Sequence, residues 1–447
     1  MRPWTILAAI AALLAARTMF DWLAVIVSGV PTGYGEGAVA HAGQILARGG
    51  DPYAPVAAGT FVSANYPPLA YTIAALGQAL GPFTALRIAN VVAALAVAAL
   101  AAWRARSAPA VAVALGASFV ALYPVAAWTS GARVDPLAVA LAGIAIAVAS
   151  REPRRAALAG ALGALAIAAK PTAAVPLVVV LVYLAWRERT TAIRVAAAFT
   201  VAFAAVAALC LARFEARGLW EHLVVYNSFP YDLRNPVFLV LLALLLMGAY
   251  LVTALRFADG RMRAYLVGAL GVVALGGHEG ATINYLLDLA AASCIALAPL
   301  ALSRPPIVAA LFTGHLVATA ILMSPIGPLA PPSLAVDRAR VEAARSLAAG
   351  AVYAEDSGPL VAAGVEPVVD DAYVWARLVA LGMRADDVTP RVREGGFVAI
   401  LSDVPLDRMA EANLIERQRW PEQLVAAVLE RYRLDRHDST LWMYVPR

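Results

Sequence analysis

The chain has 447 residues, of which 62% are apolar and 15% charged, well below the roughly 25% charge usual in soluble domains. That composition excludes a soluble enzyme. The net charge of +5 does not indicate a nucleic-acid partner, because the arginines cluster at the ends of apolar stretches, where the positive-inside rule places them.

Apolar stretches of about 15 to 25 residues recur from Thr5 to Met323, a length suited to helices that cross a hydrocarbon core about 30 Å thick. The first span is expected over 4–30, with Met1 to Pro3 in the cytoplasm. A long polar excursion over 31–82 follows on the far side. Later spans are expected near 83–103, 109–128, 136–150, 156–169, 172–186, 195–213, 236–255, 264–276, 282–301 and 307–323, eleven in all. This threading puts Arg104, Arg106, Arg151, Arg154, Arg155 and Arg187 inside, together with Arg189, Arg194, Arg256, Arg261, Arg263 and Arg304. Acids gather on the far side, among them Glu36, Asp51, Asp135, Glu279 and Asp288. Residues 4–16 also read as a signal-peptide core ending near Ala15 or Ala16; Glu36 lies outside on either reading. Arg17 and Asp21, spaced i,i+4 in the first span, are expected to pair.

Beyond the prolines Pro325, Pro328, Pro331 and Pro332 the charge density rises. Strand-like runs at Gly396 to Leu401 and Leu441 to Val445 alternate with a helical one at Pro421 to Tyr432. The expected organisation is a transmembrane domain over 1–326 and a small extracytoplasmic α/β domain over 327–447. Cys210 and Cys294 sit in apolar stretches and read as packing residues. His41, His222 and His437 have no metal-ligand spacing.

Ionisable groups are costly near a bilayer, so their concentration on one side points to a site. The first excursion is the densest case, running Tyr34-Gly35-Glu36-Gly37, then a helix through His41, Gln44 and Arg48, then Gly49-Gly50-Asp51-Pro52-Tyr53 and Asn65-Tyr66-Pro67-Pro68-Leu69. Glycines on both sides of Glu36 allow a substrate to approach its carboxylate.

These motifs resemble the C-type (GT-C) membrane glycosyltransferases that use polyprenyl-phosphate sugars, a family that includes protein O-mannosyltransferases and the lipid A aminoarabinose transferase. The resemblance extends to Arg133-Val134-Asp135-Pro136, Lys170-Pro171-Thr172 and Gly280 to Asp288. It implies an α-helical polytopic membrane protein, a far-side active site, and a helix over 66–81 lying along the membrane surface. It further implies that Glu36 is the general base, where relatives commonly carry Asp.

That role is chemically reasonable. An inverting displacement needs a carboxylate to take the acceptor hydroxyl proton while phosphate leaves from the opposite face, and the leaving phosphate needs cations. Arg133, Lys170, His278, Arg87 and Arg234 are the candidate cations. Lys170 is the only lysine in the chain, so a compact ammonium is wanted there. Arg133 and Asp135 flank one turn and could pair with each other. Tyr66 and Asp135 join the donor-binding set, and Trp220, Tyr226 and Asn227 could line a sugar site. With the acids dispersed, no tightly bound metal or other cofactor is expected, although some relatives use a divalent ion.

The expected function is transfer of a single sugar from a polyprenyl-phosphate donor to a lipid, glycan or protein acceptor on the outer side of the plasma membrane. A lipid or solute transporter is the rival from another class. A lipid-linked glycan polymerase or ligase would share the sidedness.

Overall fold

The structure is a computed structural model that describes residues 2–55, 59–303, 306–323, 333–347, 350–437 and 441–447. The proline hinge at Pro325, Pro328, Pro331 and Pro332, the 326/327 boundary and Arg304 lie outside the described residues.

Prolines open many of the helices, because the N–H that proline lacks has no partner in a first turn. The first long helix is α1 (Arg2–Ser28), followed by α2 (Glu36–Ala47), α3 (Pro68–Leu76) and α4 (Thr84–Arg104). Then come α5 (Pro109–Ala121), α6 (Tyr123–Trp128), α7 (Asp135–Val148), α8 (Pro153–Ala169), α9 (Ala174–Arg187) and α10 (Arg189–Arg213). After α11 (Ala216–Leu223) the bundle closes with α12 (Arg234–Phe257), α13 (Gly260–Leu275), α14 (Leu287–Ser303) and α15 (Pro306–Met323). A helix stands at each expected span, although the stretch 109–128 breaks at Leu122, ahead of Pro124, into α5 and α6.

Four helices, at Pro3–Ser28, Thr84–Arg104, Arg189–Arg213 and Arg234–Phe257, are long and apolar enough to cross a membrane by length and composition. The shorter apolar ones, such as the 14 residues of α7, reach only about 21 Å at a rise of about 1.5 Å per residue. Together the apolar helices mark the chain as a membrane protein. Arg17 and Asp21 pair at 3.0 Å in α1, as their spacing predicts.

Small residues let the helices approach closely. Gly160 of α8 packs where a Cβ would strike Ala198 and Phe199 of α10. None of the most apolar window of α10 is buried inside the protein, so its outer face is left for lipid.

The first excursion packs on itself. Val39 and Ala42 of α2, Tyr53, Tyr71 of α3, and Phe83 and Leu86 at the start of α4 share one apolar cluster with Phe214. α3 and a short 3-10 turn (Gln78–Leu80) occupy the position expected for the surface helix.

The C-terminal residues form α16 (Ser333–Arg345), β1 (Val352–Ala354), α17 (Gly358–Ala363), α18 (Ala372–Ala380), α19 (Val388–Arg393) and β2 (Ala399–Ser402). α20 (Leu414–Arg419), α21 (Glu422–Arg431), β3 (Tyr432–His437) and β4 (Trp442–Pro446) complete the chain. The sheet order is β1-β2-β4-β3, with β1 parallel to β2 and the other pairs antiparallel. Apolar clusters cover both faces: Val352 and Ala354 belong to one and Tyr353 to the other. Strand β3, at the edge, is exposed beyond Tyr432 and carries Arg433, Asp435 and Arg436, charges that discourage edge-to-edge pairing.

Several contacts seat these residues on the first excursion and the bundle. Gly37 abuts Ser357 and Gly358, Phe61 forms a bridge with Val369, and Asp370 accepts from Ser63 N at 2.8 Å while facing His41 at 3.3 Å. Glu279, ahead of α14, receives both nitrogens of Arg377 from α18.

Candidate active site

Glu36 is the first residue of α2, and Gly35 before it adopts a left-handed conformation at φ 87°, which favours glycine. The flanking glycines, read from the sequence as room for a substrate, serve backbone geometry and close packing: a Cβ at Gly35 would meet Arg133, and one at Gly37 would meet Ser357 and Gly358. Glu36 is 1% exposed. Its Oε2 accepts from Thr32 N at 2.8 Å and from Arg87 Nη2 at 2.7 Å, and its Oε1 accepts from Ala132 N. Arg87, wholly buried in α4, also donates to the Val25 and Val30 carbonyls at 2.9 and 2.7 Å. Burial pushes the Glu36 carboxyl up, but Arg87, Arg133 and the donated hydrogen bonds outweigh it and hold the group below its ordinary value.

Asn90, one turn after Arg87, donates to the Gly131 and Arg133 carbonyls at 2.9 and 2.8 Å. This bond pins the turn whose Ala132 N–H reaches Glu36. Arg133 donates to the Tyr34 carbonyl and lies over the Trp128 ring, 4.9 Å from its centroid. Two guanidiniums thus face one carboxylate, leaving one net positive charge.

Trp128 Nε1 donates to Asp135 Oδ2 at 3.0 Å. The pairing of Asp135 with Arg133 that the sequence left open is not the one found. As the first residue of α7, where an acid is favoured by the helix dipole, Asp135 pairs through Oδ1 with Lys170 and accepts from Asn284 at 2.8 Å. Lys170 ends α8 and lies 4.5 Å from the Tyr285 ring centroid. The Tyr66 phenol is buried near the same groups; burial, with Asp135 adding, pushes it up to about 12.

Glu36, Arg133, Asp135 and Lys170 are therefore joined through Trp128 in one network, with Tyr66 near its Asp135–Lys170 end. His278 stands apart, with its Nδ1 at 3.1 Å from the Phe229 carbonyl and its ring against Tyr231. Arg234 pairs with its neighbour Asp232. Of the sugar-site aromatics, Trp220 is 62% exposed, while Tyr226 packs on Phe61 and His222. Asn227 is engaged with backbone carbonyls.

Sequence reading missed Trp128, Asn90 and Asn284. Asn90, a lone amide in an apolar span one turn from Arg87, is the signal that could have been used. Among the described residues no group of three or more His, Cys, Asp or Glu side chains is placed to hold a metal ion.

The fold is shared with a solved membrane-protein structure. The chain is similar to the crystal structure of ArnT from Cupriavidus metallidurans bound to undecaprenyl phosphate, with a TM-score of 0.62 at 16% identity over 97% of each chain. Against the apo form of the same protein the TM-score is 0.61 at 15% identity, over 99% of this chain and 97% of that one. No protein-family model and no curated protein sequence matches the chain.

Proposed function

We propose that the protein transfers a single sugar from a polyprenyl-phosphate donor to an acceptor hydroxyl on the outer side of the plasma membrane, with inversion and without a resident metal. The observation that carries this reading is the acid–cation network Glu36–Arg87–Arg133–Trp128–Asp135–Lys170 within a fold that extends over nearly all of an undecaprenyl-phosphate-binding protein.

The residues divide by charge. Arg133 carries the positive charge left over by the Arg87–Glu36 pair, so it is the group assigned to the lipid phosphate. Lys170 is neutralised by Asp135, which assigns that pair, with Tyr66, to the sugar. The acceptor oxygen attacks the anomeric carbon, the bond from that carbon to the phosphate oxygen breaks, and the lipid phosphate departs. Glu36 takes the hydroxyl proton. Its Oε1 accepts one hydrogen bond and retains acceptor capacity, and the approach passes over Gly131. A Cβ there would lie 3.1 Å from both Glu36 Oε1 and Arg133 Cγ.

The test is transfer of radiolabelled sugar from short-chain polyprenyl-phosphate sugars to membrane extract, in EDTA, comparing the purified protein with Glu36→Gln. Transfer is expected, and the variant should lose about 10²- to 10⁴-fold, the range of general-base catalysis, while still binding donor. Absence of transfer from every donor, with lipid or solute flux in reconstituted vesicles, would replace this reading with a transporter.

A further inference from the structure

A small cavity opens between the start of α7, the end of α8 and the start of α14. Asp135, Lys170, Thr172, Asn284 and Asp288 line it, with Val272 among the apolar walls. Its volume is about 10 Å³, the room that one water or one hydroxyl group takes.

Four of these polar residues have ready partners or a plain role, and Asp288 does not. Lys170 and Asn284 both bond Asp135, and Thr172 sits in the turn after Lys170. Asp288 is 4% exposed, and its Oδ1 has no hydrogen-bond partner among the described residues. A buried carboxyl oxygen without a donor is costly, and such an atom calls for a partner that the cavity beside it can admit. Asn284, in the 3-10 turn Ile283–Leu286, and Asp288, in the first turn of α14, both line this cavity.

The ligand chemistry follows from charge. Asp135 and Lys170 cancel, so with the acid of Asp288 beside them the cavity offers no net positive charge to hold a phosphate, while Asp288 Oδ1 is an acceptor without a donor. A neutral donor-bearing group of hydroxyl size meets both the space and the charge.

We infer that Asp288 accepts a hydrogen bond from one hydroxyl of the transferred sugar and so selects among donor sugars. This assignment rests on the transferase reading above. It places a specificity determinant beside the Asp135–Lys170 pair.

The experiment measures kcat/KM for a polyprenyl-phosphate hexose and each of its mono-deoxy analogues with wild type, Asp288→Asn and Asp288→Ala. Binding of a short-chain polyprenyl phosphate without sugar is measured alongside. For wild type, one deoxy position should cost 10²-fold or more relative to the parent sugar. In Asp288→Ala that one ratio should collapse at least tenfold, with the other ratios and the sugar-free binding unchanged.

Ratios that stay at wild-type values in both variants would overturn the assignment. So would an equal fall for every donor together with loss of sugar-free binding, which marks a structural residue. Loss of turnover for all donors in Asp288→Asn with donor still bound would make Asp288 a proton acceptor instead. Wild-type transfer that Glu36→Gln abolishes, with unchanged Asp288 ratios, sinks this inference alone. Absence of wild-type transfer from any donor sinks the transferase reading and this site with it.

Discussion

Replacing Arg87 by Met would test whether the buried pair under the site is a structural keystone of the first excursion. The change takes from Glu36, 1% exposed, the guanidinium bonded to it and leaves Arg133 as the cation facing it; breaking a buried pair costs about 3 to 5 kcal/mol. The Val25 and Val30 carbonyls lose their donor as well, at roughly 1 kcal/mol each. Arg87→Met should therefore cost about 5 to 7 kcal/mol by this reckoning. Adding Glu36→Gln should recover about 2 to 3 kcal/mol, because the amide carries no buried charge and its one oxygen still accepts from Thr32 N or Ala132 N. The assay is reversible unfolding in mixed micelles, followed by tryptophan fluorescence, for wild type, both single variants and the double. Additivity within about 0.5 kcal/mol would refute the reasoning, since it would mean that the two side chains do not share one electrostatic free energy.

Gly37→Ala is expected to loosen the C-terminal residues from α2, because the added methyl meets Gly358 backbone and the Ser357 hydroxyl; limited proteolysis should release fragments that wild type withholds. Stability should rise as pH falls from about 8 to 5. Burial raises Asp371 and Asp337 to about 6 and, with Glu355 adding, Asp403 to about 7. Each of these groups penalises the folded state when ionised, and the penalty is relieved as pH drops through its folded pKa toward the unfolded value. His222, which burial keeps neutral, opposes this below about pH 6.5. A melting temperature lower at pH 5 than at pH 8 would contradict the balance.

The helical bundle was legible because hydropathy and proline position carry it: apolar runs mark the helices, and Pro109, Pro136 and Pro153 mark where they begin. In the C-terminal residues β2, β4 and α21 fell close to their expected runs. Strand β3 escaped because Tyr-Arg-Leu-Asp-Arg-His lies at an exposed edge and shows no apolar alternation. At the site, residue type was informative and partnership was not. Lys170 stood out as the only lysine, but its partner Asp135 lies 35 residues away, and no spacing rule links an α8 terminus to the start of α7. The same limit explains Glu36: its glycines read equally well as access and as packing, and only the apposed Gly358 decides between them. His278 looked like a site histidine at a membrane edge, while its carbonyl partner, Phe229, comes from the segment before α12.

Tyr34 ties the two ends of the chain together. Its carbonyl holds Arg133, its hydroxyl bonds Asp371 at 2.7 Å across a separation of 337 residues, and Arg419 covers its ring. At a synthesis rate of roughly 5 to 20 residues per second, Asp371 leaves the ribosome some tens of seconds after Tyr34. Throughout that interval the nascent first loop already carries Glu36 but lacks the clasp that positions Tyr34 and, through it, Arg133. A ribosome-bound chain in the membrane would thus hold the Glu36–Arg133 network unfinished, and it would be completed only when the late-made residues fold back onto the early ones.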